Sequence, residues 1–196
     1  MAIKKTIAII GAAGKMGSAL SQSLAKGPFR LLLFDRNTKK LGLLARKIKT
    51  TTGNPDFEST MCPVEASWEA DIIIPAVPFA AQQEVVEKIK NVTTQKIVIS
   101  LYRQDENSHD QKLTAHGMAQ ALQQALPHAK IVEAFTTVCA DDFKSTGEKE
   151  LPVVVTGRDE EACQTVAGLV RVAGFHPVIE NTGASDCKNG LYGKLN

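Results

Sequence analysis

The sequence predicts an α/β protein with a doubly wound, mostly parallel sheet in three layers and a small C-terminal α/β extension. Three observations carry this expectation. Short β-branched or apolar runs alternate with stretches of helical spacing along nearly the whole chain. Two of the runs, Phe29 to Phe34 and Ile72 to Val77, are almost continuously apolar, as strands covered on both faces must be. A glycine-rich turn follows the first run and opens the first helix.

The elements follow in order. Lys5 to Ile10 reads as the first strand, and Ser18, Ala19, Leu20, Leu24 and Ala25 give a helical stripe that ends at Gly27-Pro28. Phe29 to Phe34 is the second strand, and Leu41, Leu44, Ala45 and Ile48 mark a helix over Thr38 to Ile48. Thr50 to Pro55 is a polar turn cluster. Ile72 to Val77 is a buried strand, Phe79 to Ile89 a helix, and Lys96 to Leu101 a further strand. A polar loop from Arg103 to Asp110 precedes a helix over Leu113 to Leu126 and a strand over Lys130 to Phe135. Leu151 to Val155, Asp159 to Ala173 closed by Gly174, and His176 to Ile179 complete the alternation as strand, helix and strand. With no break in composition, residues 1–196 read as a single domain, of which 139–196 form at most a small appended lobe.

Of 196 residues, 43% are hydrophobic and 22% charged, and 23 basic side chains nearly balance 21 acidic ones. A chain of this length removes about 70% of its unfolded surface from water and needs no staple. The basic residues are scattered and lack interleaved aromatics, which argues against nucleic acid as a partner. The longest apolar run, Ile72 to Ala81, has about half the ~20 residues that a membrane span requires, so no membrane association and a cytoplasmic location are expected. Cys62, Cys139, Cys163 and Cys187 form no C-x-x-C pair and have no histidine at zinc spacing, which indicates neither a metal site nor a disulfide framework. A small molecule is the expected partner.

The chemistry concentrates in Gly11, Ala12, Ala13, Gly14, Lys15, Met16 and Gly17, a G-x-x-G-x-x-G loop between strand and helix. Such a loop lets main-chain N–H groups approach a pyrophosphate at the positive end of a helix, the arrangement of a Rossmann dinucleotide site. Asp35 ends the second strand 18 residues beyond Gly17, where a carboxylate accepts from adenosine ribose hydroxyls and favours NAD. Arg36, with Lys39 and Lys40 behind it, suits a ribose 2′-phosphate instead, so the residues alone leave NAD and NADP both open. Ala76, Val77 and Pro78 lie at the carboxyl end of an apolar strand and offer a rigid wall to a nicotinamide ring. Ser100, Leu101 and Tyr102 end the next strand as candidate pocket residues, and Arg103 is placed to pair with an anionic acceptor.

The glycine loop, the run Ala70 to Pro78 and the segment Ala134-Phe135-Thr136-Thr137-Val138 together resemble the NADP oxidoreductases that act on a deazaflavin coenzyme. They are also similar to the cytosolic domain of the six-transmembrane metalloreductases, and the first hundred residues resemble pyrroline-5-carboxylate reductases. The resemblance implies NADP held by Gly11 to Gly17 and Arg36. It also implies that Val77-Pro78 and Phe135 to Val138 flank the nicotinamide and a flavin or deazaflavin second substrate, with Thr137 on the nucleotide side. A homodimer follows from the same likeness. Thr136 stands where deazaflavin enzymes often carry histidine, and Leu101 to Gln104 replaces their proline-bearing apolar stretch. Short-chain dehydrogenases need a lysine four residues after a tyrosine, but Glu106 and Asn196 occupy those positions. No catalytic side chain stands out, which suits hydride transfer between stacked rings. Reduction of a small organic substrate and nucleotide sensing without turnover are the alternative readings.

Overall fold

The computed structural model describes residues 4–52, 55–101, 115–144 and 151–181. Eight strands form one sheet in the order β3-β2-β1-β4-β5-β6-β7-β8. The strands are β1 (Thr6–Ile10), β2 (Arg30–Phe34), β3 (Asp56–Thr60), β4 (Ile72–Pro75), β5 (Ile97–Ser100), β6 (Lys130–Glu133), β7 (Pro152–Gly157) and β8 (His176–Asn181). The helices are α1 (Lys15–Leu24), α2 (Thr38–Thr51), α3 (Pro63–Glu69), α4 (Phe79–Ile89), α5 (Ala115–Ala125) and α6 (Glu160–Val172). Strands β1 to β6 are parallel, β7 runs antiparallel to β6, and β8 is parallel to β7.

Alternation along each strand explains the three layers. Ile7, Ile9, Leu31, Leu33, Ile72 and Ile74 join Leu20 and Leu24 of α1, Leu41 and Leu44 of α2, and Val166 and Val170 of α6 in one apolar cluster. Their neighbours Ala8, Ile10, Leu32, Ile73 and Val98 join Ala66 of α3, Val86 and Ile89 of α4, and Leu122 of α5 in the other. Each fully buried Ile or Leu contributes about 1.5–3 kcal/mol relative to exposure, which is why the central strands carry almost nothing else.

The structure adds a strand and an α-helix to those read from sequence, and it differs from that reading in several boundaries and in one strand direction. Edge strand β3 and the short helix α3, with Pro63 at its start, occupy a stretch where the pattern gave no element beyond the turn cluster. Helix α2 continues through Thr51, into that cluster. Strand β6 stops at Glu133, because Phe135 takes φ +58° and cannot continue the pleat. β7 is antiparallel to its neighbour, so the C-terminal unit enters the sheet in reverse. The polar loop at 103–110, with Tyr102 and Arg103, lies outside the described residues. So do the start of the helix expected from Leu113 and the fourth cysteine, Cys187. No described helix is long and apolar enough to cross a membrane.

Candidate nucleotide site

Strand order reverses between β1 and β4, since the chain winds outward through β2 and β3 on one side and through β5 and β6 on the other. A crevice therefore opens at the carboxyl ends of β1 and β4, where doubly wound sheets place their ligands. The glycine loop, Asp35-Arg36 and Ala76-Val77-Pro78 all border it.

The loop is ordered by its own hydrogen bonds. Gly11 N and Ala12 N donate to Phe34 O at 2.8 and 2.9 Å, Ala13 N donates to Asp35 Oδ2 at 2.9 Å, and Gly14 N donates to Gly11 O at 3.0 Å. All four N–H groups of residues 11–14 are thus spent inside the protein. The sequence reading gave Gly11 to Gly17 as a whole to the cofactor, and here the amides of Gly11, Ala12, Ala13 and Gly14 fix the turn. The next three, of Lys15, Met16 and Gly17, meet no protein acceptor among the described residues. Helix α1 has neither a side-chain cap nor an acidic residue in its first turn, so no group of the helix itself compensates its positive end.

Two glycines are required by close contact. Gly11 has φ +87°, and a Cβ there would lie 2.6 Å from Ala76 O and 2.8 Å from Val77 Cγ1. A Cβ on Gly17 would lie 2.2 Å from Gly11 O. The helix is thereby seated directly against the loop, and the loop against the strand end that carries Val77.

Asp35 is half-buried, and its second oxygen, Oδ1, accepts from Asn37 N at 2.8 Å. Asn37 in turn caps α2 by accepting from Lys40 N. Arg36 is 74% exposed, with its Nη1 3.9 Å from Glu84 Oε2, and Glu84 itself accepts from Lys88 Nζ at 2.7 Å. The sequence reading did not single out Glu84, because its place opposite Arg36 depends on the packing of α4. Ala76 and Val77 are partly buried and Pro78 is exposed at the start of α4.

The candidate pocket residues separate. Leu101 is partly buried, Val138 is buried, and both line a cleft of about 1060 Å³ that also takes in Lys15, Met16, Cys139 and Phe143. Ser100 is buried, and its Oγ has no hydrogen-bond partner among the described residues. Thr136 is partly buried and Thr137 exposed. Phe135 is fully buried, with its ring centroid 6.1 Å from Phe143 and 6.2 Å from Phe175. Its positive φ turns the ring into this aromatic cluster, so it supports the wall beneath the cleft and has no surface of its own to offer. Among the described residues no group of three His, Cys, Asp or Glu side chains is placed to hold a metal.

A glycine loop pressed against a reversing parallel sheet, with bare amides at the mouth of α1 and a carboxylate and an arginine at the end of β2, defines a Rossmann-type nicotinamide-dependent oxidoreductase. Residues 6–104 match the family described as NADP oxidoreductase, coenzyme F420-dependent, and the chain belongs to it. By sequence, no curated protein matches the chain. Among solved structures it is similar to the hypothetical protein SMa0349 of Sinorhizobium meliloti (TM-score 0.72, 21% identity, 92% of this chain and 86% of that one). It is also similar to a protein of Arthrobacter sp. FB24 described as an F420-dependent NADP reductase (0.74, 18%, 90% and 84%). An imine reductase variant of Myxococcus stipitatus solved with NAD+ aligns as well (0.67, 15%, 90% of this chain), but this chain spans only 55% of its length. At these identities the likeness is one of fold.

Proposed function

We propose that the protein binds NADP(H) across the β1–β4 crevice and passes hydride between its nicotinamide and a flavin-like or deazaflavin ring. The carrying observation is the set of N–H groups on Lys15, Met16 and Gly17 that meet no protein acceptor among the described residues, at the start of a helix with no side-chain cap and no acidic residue in its first turn. The pyrophosphate is assigned to these amides, the 2′-phosphate to Arg36, and one face of the nicotinamide to Val77 and Pro78. When bound, the nucleotide supplies the hydride. The protein's part is to orient it, exclude water and leave the opposite ring face open toward Leu101 and Val138. We further propose that residues 1–196 act as one domain, and that the protein works as a homodimer in the cytoplasm.

Steady-state oxidation of NADPH and NADH with FMN, a 5-deazaflavin or no acceptor tests this reading. A rate that depends on the ring acceptor is the expected result. Tight nucleotide binding with no acceptor-dependent rate would overturn it in favour of a sensor. Turnover only with cyclic imines would favour a small-substrate reductase, a reading to which the imine reductase fold lends support.

A further inference from the structure

We infer that Asp35 is a positioning residue for the phosphate loop, and that its carboxylate does not set the choice between the two nicotinamide nucleotides. The inference rests on the nucleotide site proposed above. A carboxylate at the end of the second strand is ordinarily read as the group that engages ribose hydroxyls and repels a 2′-phosphate. Here its two oxygens are held from opposite sides: Oδ2 by Ala13 N–H at 2.9 Å, and Oδ1 by Asn37 N–H at 2.8 Å. One donor belongs to the middle of the glycine loop and the other to the turn that caps α2. The side chain therefore ties the β1–α1 turn to the β2–α2 turn.

Geometry explains why the loop needs this tie. Of the four loop amides, two reach the main chain of β2 at Phe34 and one closes on Gly11, which leaves Ala13 with no main-chain acceptor. Asp35 supplies it. The turn so fixed is the one against which Gly17 packs with no space for a Cβ, so displacement of Ala13 would shift the start of α1 and the free amides of Lys15 and Met16. Each carboxylate oxygen of Asp35 is thus oriented by an N–H group of the protein itself. Arg36 is the exposed cation beside it, and the neighbouring Glu84 already serves Lys88. Asp35 thus orders the pyrophosphate site shared by both nucleotides, while the 2′-phosphate is read by Arg36.

The test compares Asp35→Asn and Asp35→Ser with the unaltered full chain, measuring dissociation constants for NADPH and NADH by titration calorimetry and amide exchange at Ala13 by NMR. Loss of the charged acceptor weakens both nucleotides together, by about tenfold, with the NADPH to NADH ratio unchanged within about threefold. Exchange at Ala13 is expected to quicken in both variants, and Asp35→Asn, which keeps one carbonyl oxygen at the same place, is expected to retain more affinity than Asp35→Ser. A gain in NADPH affinity with a loss for NADH would overturn the inference, as would unchanged affinity for both. If the unaltered chain binds neither nucleotide, the functional proposal fails by itself. Ala13 exchange in Asp35→Asn then still decides whether the carboxylate holds the loop, and unchanged exchange refutes it.

Discussion

Gly17 has space for a hydrogen and nothing larger, because the atom a side chain would strike, Gly11 O at 2.2 Å, is main chain and cannot rotate away. Gly17→Ala must push α1 off the loop. It is expected to cost about 1–3 kcal/mol, the usual range for overpacking, and to raise the dissociation constant for either nucleotide well beyond tenfold. Urea denaturation and calorimetry read the two effects separately. Binding unchanged in a destabilised variant would show that the loop and helix mouth are not the site. The cysteines give a second prediction at this scale. Burial, and then the nearby Asp159 and Glu160, raise the Cys163 thiol above its ordinary range, whereas Cys62 and Cys139 are partly accessible. Iodoacetamide at pH 8 should label Cys62 and Cys139 in the native protein and spare Cys163, as peptide mass spectrometry would show. Equal labelling of all three would contradict the burial of α6 against the sheet.

Helix α6 shows how one side chain can fasten an element. Asp159 accepts from Ala162 N at 2.8 Å as the N-cap, and its other oxygen meets Lys130 Nζ of β6 at 2.9 Å. The Lys130 contact, followed by the cap bond, holds the carboxyl below its ordinary range, and Asp159 holds the Lys130 ammonium above its own. A lowered acid stabilises the fold above its unfolded pKa and loses that contribution as pH falls through the folded value. A raised base stabilises below its unfolded pKa and loses it as pH rises through the folded one. The pair therefore contributes fully only between about pH 4 and pH 10. Asp159→Ala removes both functions and should cost about 1–2 kcal/mol near neutral pH, while Asp159→Asn keeps the cap and should cost less. Urea midpoints at pH 7 and pH 3 check this, and a cost as large at pH 3 would refute the linkage.

The same scale explains what the sequence could reveal. α6 is visible because its cap, apolar stripe and closing glycine agree, and β4 because Ile72 to Ile74 are buried on both faces. β3 is an edge strand whose Asp56, Glu58 and Ser59 face solvent, so it has no apolar pattern to find. α3 spans 7 residues, too few to display a helical period. The G-x-x-G-x-x-G spacing points to a candidate site, but which amides are left without a protein acceptor depends on groups that only the fold supplies, Phe34 O and Asp35 Oδ2. Phe135 is the opposite case. Its segment was recognisable, but the left-handed turn that buries the ring leaves no trace in the letters.

Across the whole molecule, both sheet edges are poor surfaces for further pairing. β3 carries Asp56 and Glu58, ion-paired to Lys4 and Arg30, and β8 carries Pro177. His176 N points inward to Leu151 O, so the position that lacks an N–H is the next one, facing outward. Both sides of the sheet thus discourage pairing, and the crevice lies at its carboxyl edge. A ligand held there touches the β1–α1, β2–α2 and β4–α4 turns at once, and its binding energy adds to the stability of the fold as a unit. At a hundredfold excess over its dissociation constant NADPH should stabilise the native state by about 2.7 kcal/mol, which for a chain of this size corresponds to a rise in Tm of about 5–10 °C. Gly17→Ala should lower the starting Tm and abolish the increment, whereas Asp159→Ala, far from the crevice, should lower the starting Tm and keep it. Differential scanning calorimetry of the three proteins with and without NADPH distinguishes these cases. An equal increment in all three would place the nucleotide away from the α1 mouth.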